Sequence, residues 1–151
     1  MKEARPSIHI RTRFDLCTGC MLCKTSCSMY MFGGFNPGKS MLKIRHALEN
    51  LAHIPVVCEH CVHPLCLKVC PAQAISRDEQ TRAVIIDQDK CVSCGLCATY
   101  CPLGMIYEDP ETGKAFKCDL CRGEPACVGA CPFNALEIIA RDQSVGDDNE
   151  R

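Results

Sequence analysis

The sequence of 151 residues lacks tryptophan, and aromatic residues make up only 5% of it. A chain this small with so few large side chains can bury little conventional apolar core, so another source of stability is needed. It has no run of eighteen apolar residues, and we therefore predict no membrane span. Residues 1–16 carry several charges and no apolar run, so no secretory signal peptide is predicted. We expect a soluble, cytoplasmic protein.

Cysteine is the residue present in excess, with sixteen in the chain. That density leaves disulfides or metals as explanations. A reducing cytoplasm keeps thiols free, so metal binding is favoured over a disulfide scaffold. The length corresponds to about one domain, which is too short for an enzyme with separate cofactor and substrate domains.

The cysteines fall into four quartets with none left over. The quartets are Cys17, Cys20, Cys23, Cys27; Cys58, Cys61, Cys66, Cys70; Cys91, Cys94, Cys97, Cys101; and Cys118, Cys121, Cys127, Cys131. Two residues between ligands let one loop curl around an iron–sulfur cube, with backbone N–H groups facing sulfur. The repeat therefore predicts four [4Fe-4S] clusters with all sixteen cysteines as iron ligands. Gly19 and Gly95, beside ligands, indicate either close approach of backbone to inorganic sulfide or simple turns.

Proline follows the fourth cysteine in three quartets, at Pro71, Pro102 and Pro132. Proline there ends the short helix that carries the third and fourth cysteines. In the bacterial ferredoxin pattern the fourth cysteine binds the neighbouring cluster of a pair. Cys27 departs from this pattern because Ser28 follows it, so its local geometry is less well defined by the sequence.

Cluster binding changes the charge of the chain. The formal net charge of −1 counts cysteine as neutral, but a metal-bound cysteine is a thiolate. With four oxidised clusters the net charge becomes roughly −9, which makes nucleic acid an unattractive partner. Because the clusters replace an apolar core, we expect removal of iron to unfold the chain.

The segments between quartets alternate short apolar runs with polar turns, which predicts hairpins. The predicted strand pairs are 74–76 with 83–87 and 105–107 with 115–117; outer strands are expected at 7–14 and 135–139, with extended pieces at 41–45 and 54–57. The predicted fold class is α+β, rich in loops, with short hairpins and short helices.

Residues 70–75, followed by 85–87 and 91–97, look like part of a bacterial two-cluster ferredoxin. The complete set of quartets resembles the iron–sulfur subunits of molybdenum and tungsten oxidoreductases, such as dimethyl sulfoxide reductase, formate dehydrogenase and multi-subunit aldehyde oxidoreductases. The resemblance implies one compact polyferredoxin domain over 1–151, built from two ferredoxin-like modules and stabilised by clusters. The implied modules are 1–57 plus 115–140 and 58–114, with a polar tail at 141–151.

The same resemblance implies which cysteines share a cluster. Site 1 is Cys17, Cys20, Cys23 and Cys131; site 2 is Cys27, Cys118, Cys121 and Cys127; site 3 is Cys58, Cys61, Cys66 and Cys101; site 4 is Cys70, Cys91, Cys94 and Cys97. Each site combines cysteines from two quartets.

The predicted function is relay of single electrons between a catalytic metalloenzyme subunit and a second redox subunit. The favoured catalytic partner is a tungsten or molybdenum aldehyde oxidoreductase, and no catalytic residue is predicted in this chain. Self-association of copies of the chain, which would extend the path of electron transfer, is a further hypothesis. The alternative is an iron–sulfur accessory or maturation protein for a hydrogenase, formate dehydrogenase or carbon monoxide dehydrogenase, and a purely structural role is a third hypothesis.

Three other features have competing interpretations. Residues 33–40 match the P-loop pattern, but they follow a cysteine quartet and lead into an alternating segment, so a surface loop is favoured over a nucleotide site. Zinc competes for the cysteine pairs, although zinc ribbons separate two pairs by a long knuckle. His60 and His63 flank ligands, where they either donate to sulfur or are simply exposed. Four basic side chains either dock a partner or form a solvated face: Lys39, Lys43, Arg45 and His46.

Overall fold

The computed structural model describes residues 7–141, in which eight short strands form four antiparallel two-stranded sheets. The strands are β1 (Ser7–Thr12), β2 (Lys43–Ala47), β3 (Ala52–Val56), β4 (Ile75–Arg77), β5 (Val84–Ile86), β6 (Tyr107–Glu108), β7 (Ala115–Phe116) and β8 (Leu136–Arg141). The predicted α+β class with short hairpins agrees with this arrangement. Residues 142–151 of the predicted polar tail, and residues 1–6, lie outside the described part.

Strand β1 pairs with β8, so the two ends of the described chain lie side by side. Ile10 of β1 and Leu136 of β8 are both buried and belong to the same core cluster. The predicted first strand extended to residue 14, but β1 ends at Thr12 because a 3₁₀ turn at Phe14–Leu16 leads into the first quartet. The predicted last strand is present and continues to Arg141.

The other three sheets are local hairpins: β2 with β3, β4 with β5, and β6 with β7. All of them occur where the sequence predicts extended segments. The predicted piece at 41–45 is shifted, since β2 begins only at Lys43. The N–H group of Met41 binds the sulfur of Cys27 instead of a neighbouring strand. The β6–β7 hairpin crosses the predicted module boundary between 114 and 115.

Four α-helices carry cysteines, and three of them have only four residues. They are α1 (Leu22–Phe32), α2 (Leu65–Lys68), α3 (Leu96–Thr99) and α4 (Ala126–Gly129). The short ones end just before a Cys-Pro pair, whereas α1 continues through Cys27 for eleven residues because no proline follows that cysteine. Helix α1 ends at Phe32 and is capped by Gly33, which adopts the left-handed conformation. None of the helices within 7–141 combines the length and apolar character that a bilayer crossing requires.

Most of the buried apolar side chains form two clusters that both include cysteines. One contains Ile10, Cys23, Cys27, Met41, Leu42, Val57, Ala83, Leu120, Cys127 and Leu136. The other contains Ile75, Val84, Cys97, Ile106 and Ala115, with Cys66, Cys70, Cys91 and Cys101 packed against it. Apart from Ala83 and Ala115, the buried members of each cluster come from one predicted module. The thiols therefore occupy positions that aliphatic side chains fill in ordinary cores.

Candidate metal centres

The structure brings cysteines from distant quartets together around shared cavities. One cavity is lined by all four cysteines of site 1, including Cys131 from the far end of the chain. A second is lined by the four cysteines of site 2, and a third by the four of site 3. Each of these three cavities is thus lined by cysteines from two quartets, and Cys58 lines the second cavity as well as the third.

The fourth group is built within the second core cluster. Cys70, Cys91 and Cys97 all pack there. Burial raises the pKa of the Cys97 thiol to about 11, and the nearby thiolates of Cys91 and Cys94 add to this rise. The Cys94 side chain itself is exposed. All four cysteines of site 4 consequently lie in one region of the molecule.

The four quartets share a left-handed backbone conformation at one position, although different residue types occupy that position. The residue before the second cysteine has positive φ in every quartet: Gly19 (72°), His60 (44°), Ser93 (58°) and Leu120 (57°). A left-handed conformation costs about 1–2 kcal/mol for a residue with a β-carbon. Only the glycine was predictable, and only superposition of the four cysteine repeats identifies the other three positions. Strain retained at equivalent places is typical of functional loops.

Backbone N–H groups point at the sulfur of the fourth cysteine in every quartet. The bonds are Met41 to Cys27 at 3.3 Å, Ala74 to Cys70 at 3.3 Å, Met105 to Cys101 at 3.3 Å, and Ala135 to Cys131 at 3.4 Å. Leu120 and Ala126 donate in the same way to Cys118 and Cys121. Such donors stabilise negative charge on sulfur and tune a bound metal group.

Burial disfavours the thiolate form of these cysteines unless a positive charge lies nearby. It raises the pKa of Cys23 and Cys121 to about 11 and that of Cys127 to about 12. For Cys127 the neighbouring charge of Cys27 adds to the effect. Burial also raises the pKa of the Cys118 thiol well above its usual value. Iron ions supply the required positive charge, so four thiols with N–H donors form a donor set that suits a [4Fe-4S] cluster.

The alternatives to iron–sulfur clusters need different arrangements. All sixteen cysteines are free thiols. Between residues 7 and 141, no three or more His, Cys, Asp or Glu side chains are grouped closely enough to hold one metal ion. A zinc ion binds its sulfurs at about 2.3 Å from a single point. The cysteines here surround cavities instead.

The P-loop-like segment is occupied by internal contacts. It follows helix α1 and forms a 3₁₀ turn at Pro37–Lys39, whereas a P-loop joins a strand to a helix. Lys39 Nζ lies 3.7 Å from Asp109 Oδ1 and 5.5 Å from the centre of the Phe32 ring. Lys39 therefore links this segment to Phe32 at the end of α1 and to Asp109.

The other basic side chains considered for docking lie on β2. Lys43 donates to the backbone oxygen of Gly104, so it too makes an internal contact. Arg45 and His46 are exposed. The His46 ring lies 2.9 Å from His53, Nδ1 to Nδ1, across the β2–β3 hairpin.

The two histidines beside the second quartet differ in environment. His63 is exposed, whereas His60 is buried and its Nδ1 accepts from the Val84 N–H at 3.0 Å. Lys117, which the sequence placed only at a strand end, is also buried and lines the site 3 cavity with His60. Its one sequence signal is its position directly before Cys118.

Comparisons with known proteins agree with a cluster-binding role. A family model described as "4Fe-4S dicluster domain" matches residues 50–141, and one described as "4Fe-4S binding domain" matches residues 14–30. The "Aliphatic sulfonate oxidoreductase, polyferredoxin-like subunit" of Pyrococcus furiosus is 35% identical over 142 residues, which cover 91% of this chain and 81% of the relative. The "Thiosulfate reductase electron transfer subunit PhsB" of Salmonella typhi is 33% identical over 141 residues, covering 85% and 73%.

A solved structure shares the fold. It is a chain of the "Active site complex BamBC of Benzoyl Coenzyme A reductase in complex with 1,5 Dienoyl-CoA". The TM-score is 0.57 with 23% identity, and the match covers 97% of this chain and 83% of that one. At this identity the likeness concerns the fold alone.

Proposed function

Since the chain belongs to the 4Fe-4S dicluster family and is an electron-transfer subunit of an oxidoreductase complex, we propose that it relays single electrons through four [4Fe-4S] clusters. The proposed ligands are the cysteines of sites 1–4, held in the two modules defined above. Each cluster accepts and releases one electron at a time when bound. With four thiolates per site, no iron is left open to bind a substrate, so chemistry belongs to a partner subunit.

The observation that carries this proposal is the spatial grouping of cysteines far apart in sequence. Cys131 lines the same cavity as Cys17 and Cys20, and Cys27 lines the same cavity as Cys118 and Cys121. A random distribution of thiols would not give groups of four with buried N–H donors. The protein supplies fixed positions and fixed dipoles, which keep reorganisation small during electron transfer.

The neighbouring sites approach each other in the order 1, 2, 3, 4. Cys23 of site 1 and Cys127 of site 2 share one core cluster. Cys58 of site 3 lies in the wall of the site 2 cavity, and Cys66 of site 3 shares a core cluster with Cys97 of site 4. The exposed cysteines, Cys20 and Cys94, belong to the first and last sites. This order gives a linear path for electrons, with an exposed cysteine ligand at each end through which electrons can enter or leave.

Each exit offers an apolar rim for a docking partner. Leu22 follows Cys20 by two residues, and Val92 and Leu96 are each two residues from Cys94; all three side chains are exposed. We propose that one end meets a catalytic metalloenzyme subunit, with a tungsten or molybdenum aldehyde oxidoreductase as the candidate, and the other meets a second redox subunit. Self-association of copies through these ends would lengthen the wire. The proposed location is the cytoplasm.

Anaerobic purification of the native complex with metal analysis tests the proposal. We expect about 16 irons per chain, four per site, and tungsten or molybdenum in the partner. Zinc in place of iron, or far less iron, would contradict the cluster assignment. Ready transfer of clusters to an apo-enzyme would favour the maturation hypothesis. Light scattering that shows only single copies in each complex would exclude self-association.

Cysteine variants test the grouping directly. Cys131→Ala and Cys17→Ala should perturb the same cluster signal in electron paramagnetic resonance, although they come from different quartets. Cys118→Ala should perturb a different one and serves as the matched control. If Cys131→Ala and Cys118→Ala, which share a quartet, affect the same signal, the grouping is wrong.

A further inference from the structure

Lys117 is a buried lysine that has no carboxylate partner among residues 7–141. Lys117 is only 4% exposed. Nζ donates to the Val84 backbone oxygen and to that of Cys118 at 3.4 Å, and it lies 3.5 Å from His60 Nδ1. Among the ion pairs of the described residues, none involves Lys117. A buried ammonium is costly unless negative charge lies near it.

The surroundings of Lys117 place it between two cluster sites. It lines the cavity of site 3, and its Nζ contacts the backbone of Cys118, a member of site 2. Cys58 lies in the walls of both cavities. Burial raises the pKa of the Cys66 and Cys118 thiols, and the positive charge of Lys117 opposes that rise at both. The ammonium is therefore within electrostatic range of one ligand from each central site.

The backbone of β5 fixes the ammonium in place. Val84 is fully buried, and it donates its N–H to His60 while its carbonyl accepts from Lys117. Because the Val84 backbone bonds both side chains, Lys117 Nζ is held beside His60 at this point of β5. A charge fixed before the electron arrives acts with little reorganisation.

We propose that Lys117 is a shared counter-charge for sites 2 and 3, holding both central clusters at more positive reduction potentials than a neutral side chain would. The inference rests on the proposed function, because it requires clusters at these sites. Reduction transfers one electron from a neighbouring cluster and adds one negative charge, with no proton required. A nearby positive charge stabilises the reduced form more than the oxidised form. Lys117 thus favours the reduced forms of the two clusters at the junction of the modules.

The test is a redox titration of Lys117→Met, which removes the charge and keeps the length of the side chain. We expect the wild-type iron content and a shift of two titration steps to lower potential. A tenfold change in each one-electron equilibrium corresponds to about 59 mV. The other two steps should move less. Lys114→Met is the matched control, since Lys114 also donates to a backbone carbonyl, at Gln88, and should leave the titration unchanged.

The outcomes separate this inference from the proposed function. A wild-type protein without [4Fe-4S] clusters would defeat the proposed function itself. A Lys117→Met protein with all its clusters and the wild-type titration would overturn only the role of Lys117. If Lys117→Met does not assemble, Lys117→Arg decides. Assembly of that variant with the wild-type potentials supports a charge requirement, and failure to assemble or lowered potentials contradict it.

Discussion

The backbone N–H of Met41 lies 3.3 Å from the sulfur of Cys27, fourteen residues earlier in the chain. At the other three fourth cysteines, the donor is only four residues later, directly after the Cys-Pro turn. Helix α1 continues past Cys27, so the nearby donor position is not available there. The loop after α1 returns the chain to supply the missing donor.

Removing the Met41 donor should weaken cluster binding at site 2. Met41→Pro eliminates the N–H, and loss of a hydrogen bond to a charged acceptor costs about 1.5–3 kcal/mol. Met41→Leu retains the N–H and a similar volume, so it should cost less than about 1.5 kcal/mol. The rate of cluster loss to an anaerobic iron chelator measures the difference. Equal rates for both variants would mean that the bond is unimportant.

A substitution at Gly19 tests the loop of site 1. Gly19 has φ of 72°, and a β-carbon there would lie 2.8 Å from ring atoms of His53. Gly19→Ala should therefore cost more than the roughly 1–2 kcal/mol of the left-handed conformation alone. His53→Ala in the same chain should recover only the part due to the clash. The readout is the loss of site 1 cluster signal on heating.

Gly95→Ala is the control for Gly19→Ala. Gly95 has nearly the same φ, 71°, but its β-carbon would meet the far end of the Glu108 side chain, which can move. Relative to the wild type, Gly95→Ala should accelerate loss of the site 4 cluster less than Gly19→Ala accelerates loss of the site 1 cluster. An equal or larger effect at Gly95 would show that backbone conformation, and not the His53 ring, dominates.

The sequence predicted those parts of the fold that depend on repeats and on local pattern. The hairpins at β4–β5 and β6–β7 follow from apolar runs separated by polar turns, and the helix ends follow from Pro71, Pro102 and Pro132. The proposed grouping of distant cysteines into four sites rests on family resemblance, because the spacing within one quartet does not identify its partner from another.

The missed features depend on tertiary contacts. A lysine is normally exposed, so nothing in the sequence places Lys117 in the interior. Left-handed backbone at His60 and Leu120 is set by the loop around the cavity and contradicts the local preference of both residues. The role of Lys39 in joining α1 to Asp109 depends on the packing of two segments seventy residues apart.

Lys39 should contribute to stability and should not bind nucleotide. Lys39→Ala removes the contact with the Phe32 ring, worth about 0.5–1 kcal/mol at an exposed site, together with the ion pair to Asp109. We expect a lower midpoint of thermal bleaching at a fixed scan rate. In Asp109→Asn chains the same substitution should have a smaller effect. Binding of ATP to the wild type but not to Lys39→Ala, in calorimetry, would restore the P-loop interpretation.

The turn after the fourth cysteine offers a prediction with an internal control. The residue before the N–H donor has positive φ in three quartets: Gln73 (50°), Gly104 (62°) and Asn134 (52°). Gln73 is exposed, so Gln73→Gly should relieve about 1–2 kcal/mol of left-handed strain while losing no packing. Gly104→Ala introduces the same strain, and its β-carbon would meet only the Lys43 Nζ at 3.7 Å, an ordinary contact. Cluster loss should therefore slow in Gln73→Gly and accelerate in Gly104→Ala. Changes in the same direction for both variants would mean that the shared turn does not limit how tightly the fourth cysteine is held.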